Sequence, residues 1–217
     1  MVAKLLTRLH LCRHGEVDAA HRSCIYGDLD IGLAPEGLAR FERLAAELAE
    51  QRFSAIYSSP LRRAKDGALL IAARQGLEVI EDARFKEIHR GAWTGLTYDE
   101  LTERHPGGID RYLEDPDAHA ALGGETHIEL ADRVVPALED VAQRHEGGEV
   151  LIVCHAQVMR CAVARLLGMP GRGSLRLMTS YGGITTLDRY DDGAWIVQAV
   201  NQPTLRRGPW GGRTFQP

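Results

Sequence analysis

Apolar and polar positions along this 217-residue chain follow two periods in turn. "LTRLHLC" (6–12), "FSAIYSS" (53–59), "LEVI" (77–80) and "EVLIVCH" (149–155) are short runs rich in aliphatic residues, which predict strands. The last holds the continuous apolar run VLIVC, the mark of a strand covered on both faces. Between them the spacing turns helical. "PEGLARFERLAAELAEQ" (35–51) has Pro35 in its first turn and places Leu38, Phe41, Leu44 or Ala45, and Leu48 on one face. "SPLRRAKDGALLIAARQG" predicts a helix with Ser59 as N-cap, Pro60 at the first helical position and Gly76 past its end. Capping boxes open two more helices, Thr97 with Glu100 and Thr126 with Glu129. The second contains Pro136, where a kink is expected. "AQVMRCAVARLLG" is a helix closed by Gly168, and "GGITTLDRYDDGAWIVQAVN" reads as a hairpin turning at Asp191-Asp192-Gly193.

Strands alternating with helices predict an α/β fold with a mostly parallel sheet covered on both faces. The final hairpin adds an antiparallel edge. No repeat or linker divides the chain, so residues 1–200 are expected to form one domain. Residues from about 85 to 124, acidic and full of turn signals, read as an insertion over one face, and 201–217 as a tail.

Composition narrows the class of partner. Hydrophobic residues make up 44% and charged residues 26%, with a net charge of −4, and no basic tract suits nucleic acid or a membrane surface. No apolar run is long enough to span a bilayer and no signal peptide is seen, so the cytoplasm is the expected location. Cys12, Cys24, Cys154 and Cys161 form no CxxC pair and are expected as free thiols. Lys4, Lys65 and Lys86 are the only lysines among 26 basic residues, so a single arginine in a motif says little here.

The chemistry lies just past the strand ends, where open parallel sheets bind ligands and helix N-termini attract anions. Arg13, His14 and Gly15 follow the first strand. Ser58, Ser59, Arg62 and Arg63 follow the second, and His155 follows "VLIVC". Two histidines and at least two arginines should therefore gather at one rim, where guanidinium forks suit phosphate oxygens. Positive charge disfavours the imidazolium form, so a histidine there is a neutral base with a lone pair. On this reading Arg13 grips a phosphoryl group and His14 attacks its phosphorus. A leaving alcohol needs a proton, and Glu87 in "RFKEIHRGAWTG" can supply it, since a bound phosphate dianion favours a protonated carboxyl beside it.

Taken in order, "LCRHGEV", "YGDLDIGLAPEGLARF", "IYSSPLRRAKDGALLIA", "FKEIHRGAWTGLTYDEL", "GGETHIELADRV", "VLIVCHAQVMR" and "GGITTLDRYDDGAWIV" resemble the histidine phosphatase superfamily, also called phosphoglycerate mutase-like, over nearly the whole chain. In length and motif set the chain is most similar to small phosphatases such as α-ribazole phosphatase. The resemblance implies a three-layer sandwich and a phosphohistidine mechanism without metal or other cofactor. His14 would be the nucleophile and Glu87 the proton donor. Arg13, Arg63 and His155 would bind the phosphoryl group, and Tyr26 and Gly27 the substrate. The partner implied is a small phosphorylated metabolite, and a homodimer is possible. The chain departs from the family pattern at Val17 and Ala20, where threonine and asparagine are common, at Ala156 in place of glycine, and at Gly67 in place of threonine.

Three readings follow: a phosphomonoesterase, a cofactor-dependent phosphoglycerate mutase, and a phospho-ligand-binding protein without turnover. The short 85–124 segment favours the first over the second, and the missing polar groups at 17 and 20 motivate the third. "CHAQVMR" (154–160) also fits the C-x5-R signature of cysteine phosphatases, but a loop curled round phosphate needs glycine and "HAQVM" has none, so a chance match is expected. Cys12, His14, Cys154 and His155 near one rim could hold zinc, yet adjacent arginines would repel it. Of the remaining histidines none is expected to do chemistry, and Trp93 and Tyr98 are read as packing residues.

Overall fold

The computed structural model describes residues 3–205. Six strands form one sheet: β1 (Leu5–Arg13), β2 (Ala55–Ser58), β3 (Val79–Glu81), β4 (Glu149–Cys154), β5 (Ile184–Tyr190) and β6 (Trp195–Gln202). Their order is β3-β2-β4-β1-β5-β6. The first four are parallel, and β5 and β6 run antiparallel at one side. Helices α1 (Pro35–Glu47) and α2 (Arg62–Gln75) cover one face. The other face carries α5 (His127–Arg144) and α6 (Ala156–Leu166). Between β3 and α5 lie the short helices α3 (Tyr98–Arg104) and α4 (Gly108–Glu114), which close a small core of Trp93, Leu101, Tyr112 and Ala121.

Strand alternation builds the two main cores. Leu9 and Leu11 of β1 pack with Val150, Ile152 and Cys154 of β4 beneath α5 and α6. Cys12, Ile56, Leu151 and Val153 pack on the opposite face with Phe41 of α1 and Ile71 of α2. Cys12 and Cys154 thus lie on opposite faces of the sheet and cannot share a metal with the two histidines.

Register decides where the chemistry falls. Arg13 pairs with Cys154, and Ser58 with Val153. The ends of β1, β2 and β4 are level, and the chain leaves them as His14, Ser59 and His155. The His14 N–H donates to the Cys154 carbonyl (3.0 Å) and the Ser59 N–H to the Val153 carbonyl (3.0 Å), so the exits stay bonded to one another.

Several boundaries differ from the sequence reading. Helix α2 starts at Arg62, with Leu61 as N-cap, because Asp30 from a distant loop accepts the Arg62 N–H (2.7 Å). Ser59 is thereby freed from capping. On α1 Leu38 points outward, 39% exposed, and Gly37 takes the inward place. A Cβ on Gly37 would strike the Glu16 carbonyl, and one on Gly15 would lie 2.8 Å from the Gly37 Cα. The glycine after His14 is therefore needed for two backbones to touch. At Gly67 a Cβ would lie 2.6 Å from the Phe41 ring, which accounts for the missing threonine there. Tyr98 is 63% exposed rather than packed in the core, whereas Trp93 is buried as expected. Both capping boxes form. Strand β6 continues through Asn201 and Gln202, so these residues are not tail; positions 206–217 lie outside the described residues.

Candidate active site

Five side chains expected at the rim meet there. His14, Arg63 and His155 are fully or almost fully buried, and Glu87 is 8% exposed. The His14 and His155 ring centroids are 5.2 Å apart. Arg13 Nη1 donates to the Thr179 carbonyl (2.6 Å). Arg63 donates from Nη1 to the Leu29 carbonyl (2.6 Å) and from Nη2 to the Gly27 carbonyl (2.7 Å). In both arginines Nε is buried and has no hydrogen-bond partner. Each guanidinium is thus tethered to backbone with a donor unspent.

Hydrogen-bond accounting fixes the protons on the two imidazoles. His14 Nδ1 is 2.7 Å from the Gly15 carbonyl, which can only accept, so Nδ1 carries the hydrogen. The neutral ring then keeps its lone pair on Nε2. His155 Nε2 lies 2.8 Å from Ser59 Oγ. Ser59 is wholly buried, and its oxygen already accepts the Leu61 N–H (3.3 Å), so its own hydrogen has Nε2 as acceptor. His155 therefore also carries its hydrogen on Nδ1, which is buried with no partner. The two rings share a tautomer but differ in which nitrogen is left over. His14 has a spare acceptor and His155 a spare donor.

Electrostatics keeps both rings neutral. Burial, then Arg63 and Arg13, hold His14 well below the usual imidazole range. Burial, Arg63, His14 and Arg13 do the same for His155. Glu87 stands at the start of α6: its Oε1 accepts the Ile88 N–H (3.0 Å) and its Oε2 the Gln157 N–H (3.4 Å). Gly27, with φ of 45°, belongs to the cradle through its carbonyl on Arg63, and Tyr26 lies with its ring 5.1 Å from the Arg63 Cζ.

The C-x5-R segment has no phosphate-binding geometry. Cys154 is wholly buried in the core, and burial pushes its thiol well above the usual range. Arg160 Nε is turned to the Leu177 carbonyl (2.8 Å). Neither Val17 nor Ala20 supplies a polar group: Val17 is buried in a bridge to Leu33, and Ala20 is exposed.

Two residues of the site escaped the sequence reading, and a third was placed at the rim without a role there. Ser59 was assigned to a helix cap. Tyr181 sits with its ring 4.1 Å from the Arg13 Cζ and 5.7 Å from the His14 ring. Thr179 lends its carbonyl to Arg13. The last two come from the loop before β5, whose sequence carries no local signal of chemistry. A second buried polar cluster lies under the 85–124 segment. Arg90 Nη2 donates to the Tyr112 hydroxyl (3.1 Å), which is 2.6 Å from His127 Nε2, and His127 Nδ1 is 2.8 Å from Ser174 Oγ. The Ser174 hydroxyl donates to the Gly171 carbonyl (2.9 Å).

Comparison with known proteins agrees with this geometry. Residues 9–203 match the model of the histidine phosphatase superfamily (branch 1). A phosphoserine phosphatase 1 from Hydrogenobacter thermophilus is 36% identical over 76% of this chain and 78% of its own. A metal-independent phosphoserine phosphatase from Arabidopsis thaliana is 36% identical over 78% of this chain and 73% of its own. Among solved structures, a mycobacterial glucosyl-3-phosphoglycerate phosphatase complexed with VO3 superposes with a TM-score of 0.81 at 30% identity, covering 90% of this chain and 99% of that one. Family model, relatives and fold point the same way: the chain belongs to the histidine phosphatase superfamily and is a phosphatase of small phosphorylated metabolites.

Proposed function

We propose that the protein is a metal-independent phosphomonoesterase that works through a phosphohistidine on His14. The observation that carries this is the Gly15 carbonyl holding Nδ1–H, which leaves the Nε2 lone pair on a ring kept neutral by burial and two arginines. The substrate phosphoryl group lies between the unspent Nε–H groups of Arg13 and Arg63 and the Nδ1–H of His155. Nε2 attacks phosphorus, the ester P–O bond breaks, and Glu87 gives its proton to the departing alcohol oxygen. Positive charge that develops on the imidazole is stabilised by the Gly15 carbonyl. In the second half, the Glu87 carboxylate takes a proton from water as the water oxygen attacks phosphorus. The N–P bond breaks, inorganic phosphate leaves and the lone pair returns to His14. The arginines and His155 stabilise the equatorial oxygens in both steps, which makes a metal unnecessary.

Supporting the substrate class, relatives are named for phosphoserine and glucosyl-3-phosphoglycerate, and a solved phosphoserine phosphatase from Entamoeba histolytica holds phosphoserine. The test is a rapid acid-free quench after mixing with phosphorus-labelled phosphomonoesters. Label is expected on the protein, acid-labile and alkali-stable, and absent from His14→Ala. Turnover without any labelled protein would count against the covalent route. Net transfer to phosphoglycerate on adding 2,3-bisphosphoglycerate would show a mutase instead.

A further inference from the structure

Each guanidinium of the pocket faces a tyrosine ring. Tyr181 lies 4.1 Å from the Arg13 Cζ and Tyr26 lies 5.1 Å from that of Arg63. Tyr181 also stands 5.7 Å from the His14 ring, on which it leans at 49°. It is therefore in contact distance of both the attacking ring and one of the two grips.

The backbone plants Tyr181 where it is. The Gly182 N–H donates to the Arg13 carbonyl (2.9 Å), and the Arg13 N–H donates to the Gly183 carbonyl (3.1 Å). The loop is thus bonded on both sides to the residue its tyrosine covers. Behind it stands Asn201, which among the described residues is the only non-glycine with a positive φ, 55°. Its Oδ1 accepts the Ser180 N–H (2.6 Å) and its Nδ2 donates to Ser180 Oγ (3.1 Å). Asparagine is one of the few non-glycine residues that takes this left-handed conformation readily, and here it lets the side chain brace the Tyr181 loop.

Arg13 needs such a support. One Nη1 bond to Thr179 ties it at a single point, whereas Arg63 has two backbone bonds. A planar cation tethered at one corner can pivot, and a ring against its face removes that freedom. We propose that Tyr181 is a positioning residue: its ring holds Arg13 in the phosphoryl-gripping attitude and keeps the His14 ring from turning. This rests on the phosphohistidine reading.

The test compares Tyr181→Leu, Tyr181→Phe and wild type by single-turnover labelling, by inhibition with vanadate and by melting temperature. In Tyr181→Leu the labelling rate should fall about tenfold and vanadate should inhibit about tenfold more weakly, the size of one desolvated cation–π contact. Tyr181→Phe keeps the ring and should restore both to within about threefold of wild type. If Tyr181→Leu melts lower but labels and binds vanadate as wild type does, the role is structural and the proposal is overturned. Equal damage in Tyr181→Phe overturns it too, since the ring face would then not be what matters. If wild type turns over substrate and never labels, the covalent reading falls and takes the proposal with it.

Discussion

His14 and His127 are both buried, and burial disfavours the charged form of each. What separates them is what remains unspent. At His127 both ring nitrogens are used, one by Tyr112 and one by Ser174, in a chain that runs from Arg90 to the Gly171 carbonyl. At His14 one nitrogen is used, by Gly15, and the other is left with its lone pair at the rim. His155 is the mirror case, with a donor left over. A neutral buried imidazole is thus no sign of chemistry by itself. The sign is a ring nitrogen that the protein leaves without a partner beside guanidinium groups in the same condition.

The widest gap between the two regions should appear on deleting the rings. His14→Ala should lower kcat by at least roughly a thousandfold, as loss of a nucleophile does. His127→Ala should leave the turnover of folded protein within a few-fold of wild type, checked by steady-state kinetics on one phosphomonoester. A thousandfold loss in His127→Ala would erase the distinction.

The proton assignments can be broken next. Ser59→Ala removes the hydroxyl that fixes the His155 tautomer, and a loss of about tenfold in kcat/KM is expected. Ser59→Thr keeps the hydroxyl and should recover most of it. Nitrogen NMR of the imidazoles should show His155 protonated on Nδ1 in wild type and a changed tautomer in Ser59→Ala.

Stability should distinguish the regions in the other direction. His127→Ala leaves the Tyr112 hydroxyl and Ser174 Oγ with a lost partner and should cost about 1–3 kcal/mol in urea denaturation. The pH dependence follows from the depressed value, about 3 in the fold against the ordinary 6.5. Below pH 6.5 the unfolded chain takes up the proton and the folded chain does not, so stability falls as pH drops from 6.5 towards 3. Above 6.5 the contribution is fully present. His14 and His155, also depressed, act in the same sense, and the slope should shrink in His127→Ala. For the same reason the acid limb of kcat/KM should lie below the ordinary imidazole value. A limb at or above 6.5 would contradict a nucleophile held neutral.

The smallest effect is expected at Cys154. Cys154→Ser should change turnover per folded molecule less than about twofold, because the thiol sits inside the core and is held protonated there.

Much of this site was readable from the chain because its key residues follow strand ends. Arg13 ends a strand, His14 and His155 directly follow one and Arg63 lies in the first helical turn beyond one, and parallel strands deliver such positions to one rim. Tyr26 and Gly27 were legible only through resemblance, since their local sequence has no period that points at the pocket, and Glu87 was legible through the need for a proton donor and its place ahead of the GAWTG turn. Ser59 was read as a cap because the acceptor that does the capping, Asp30, comes from another loop. Leu38 was placed in the core by its spacing, and the fold gave that place to Gly37, where backbones touch.

The order of strands and helices, the capping boxes, the edge hairpin and the two buried faces are set by local period and propensity, which the chain carries at short range. The level ends of β1, β2 and β4, the tautomer of His155 and the seat of Tyr181 over Arg13 are not. They depend on strand register and on contacts between segments more than 90 residues apart, such as Ser59 with His155 and Arg13 with Thr179. A hydrogen bond specifies a proton's position only when both partners are in place, so no single segment could have shown which nitrogen of His155 was left over.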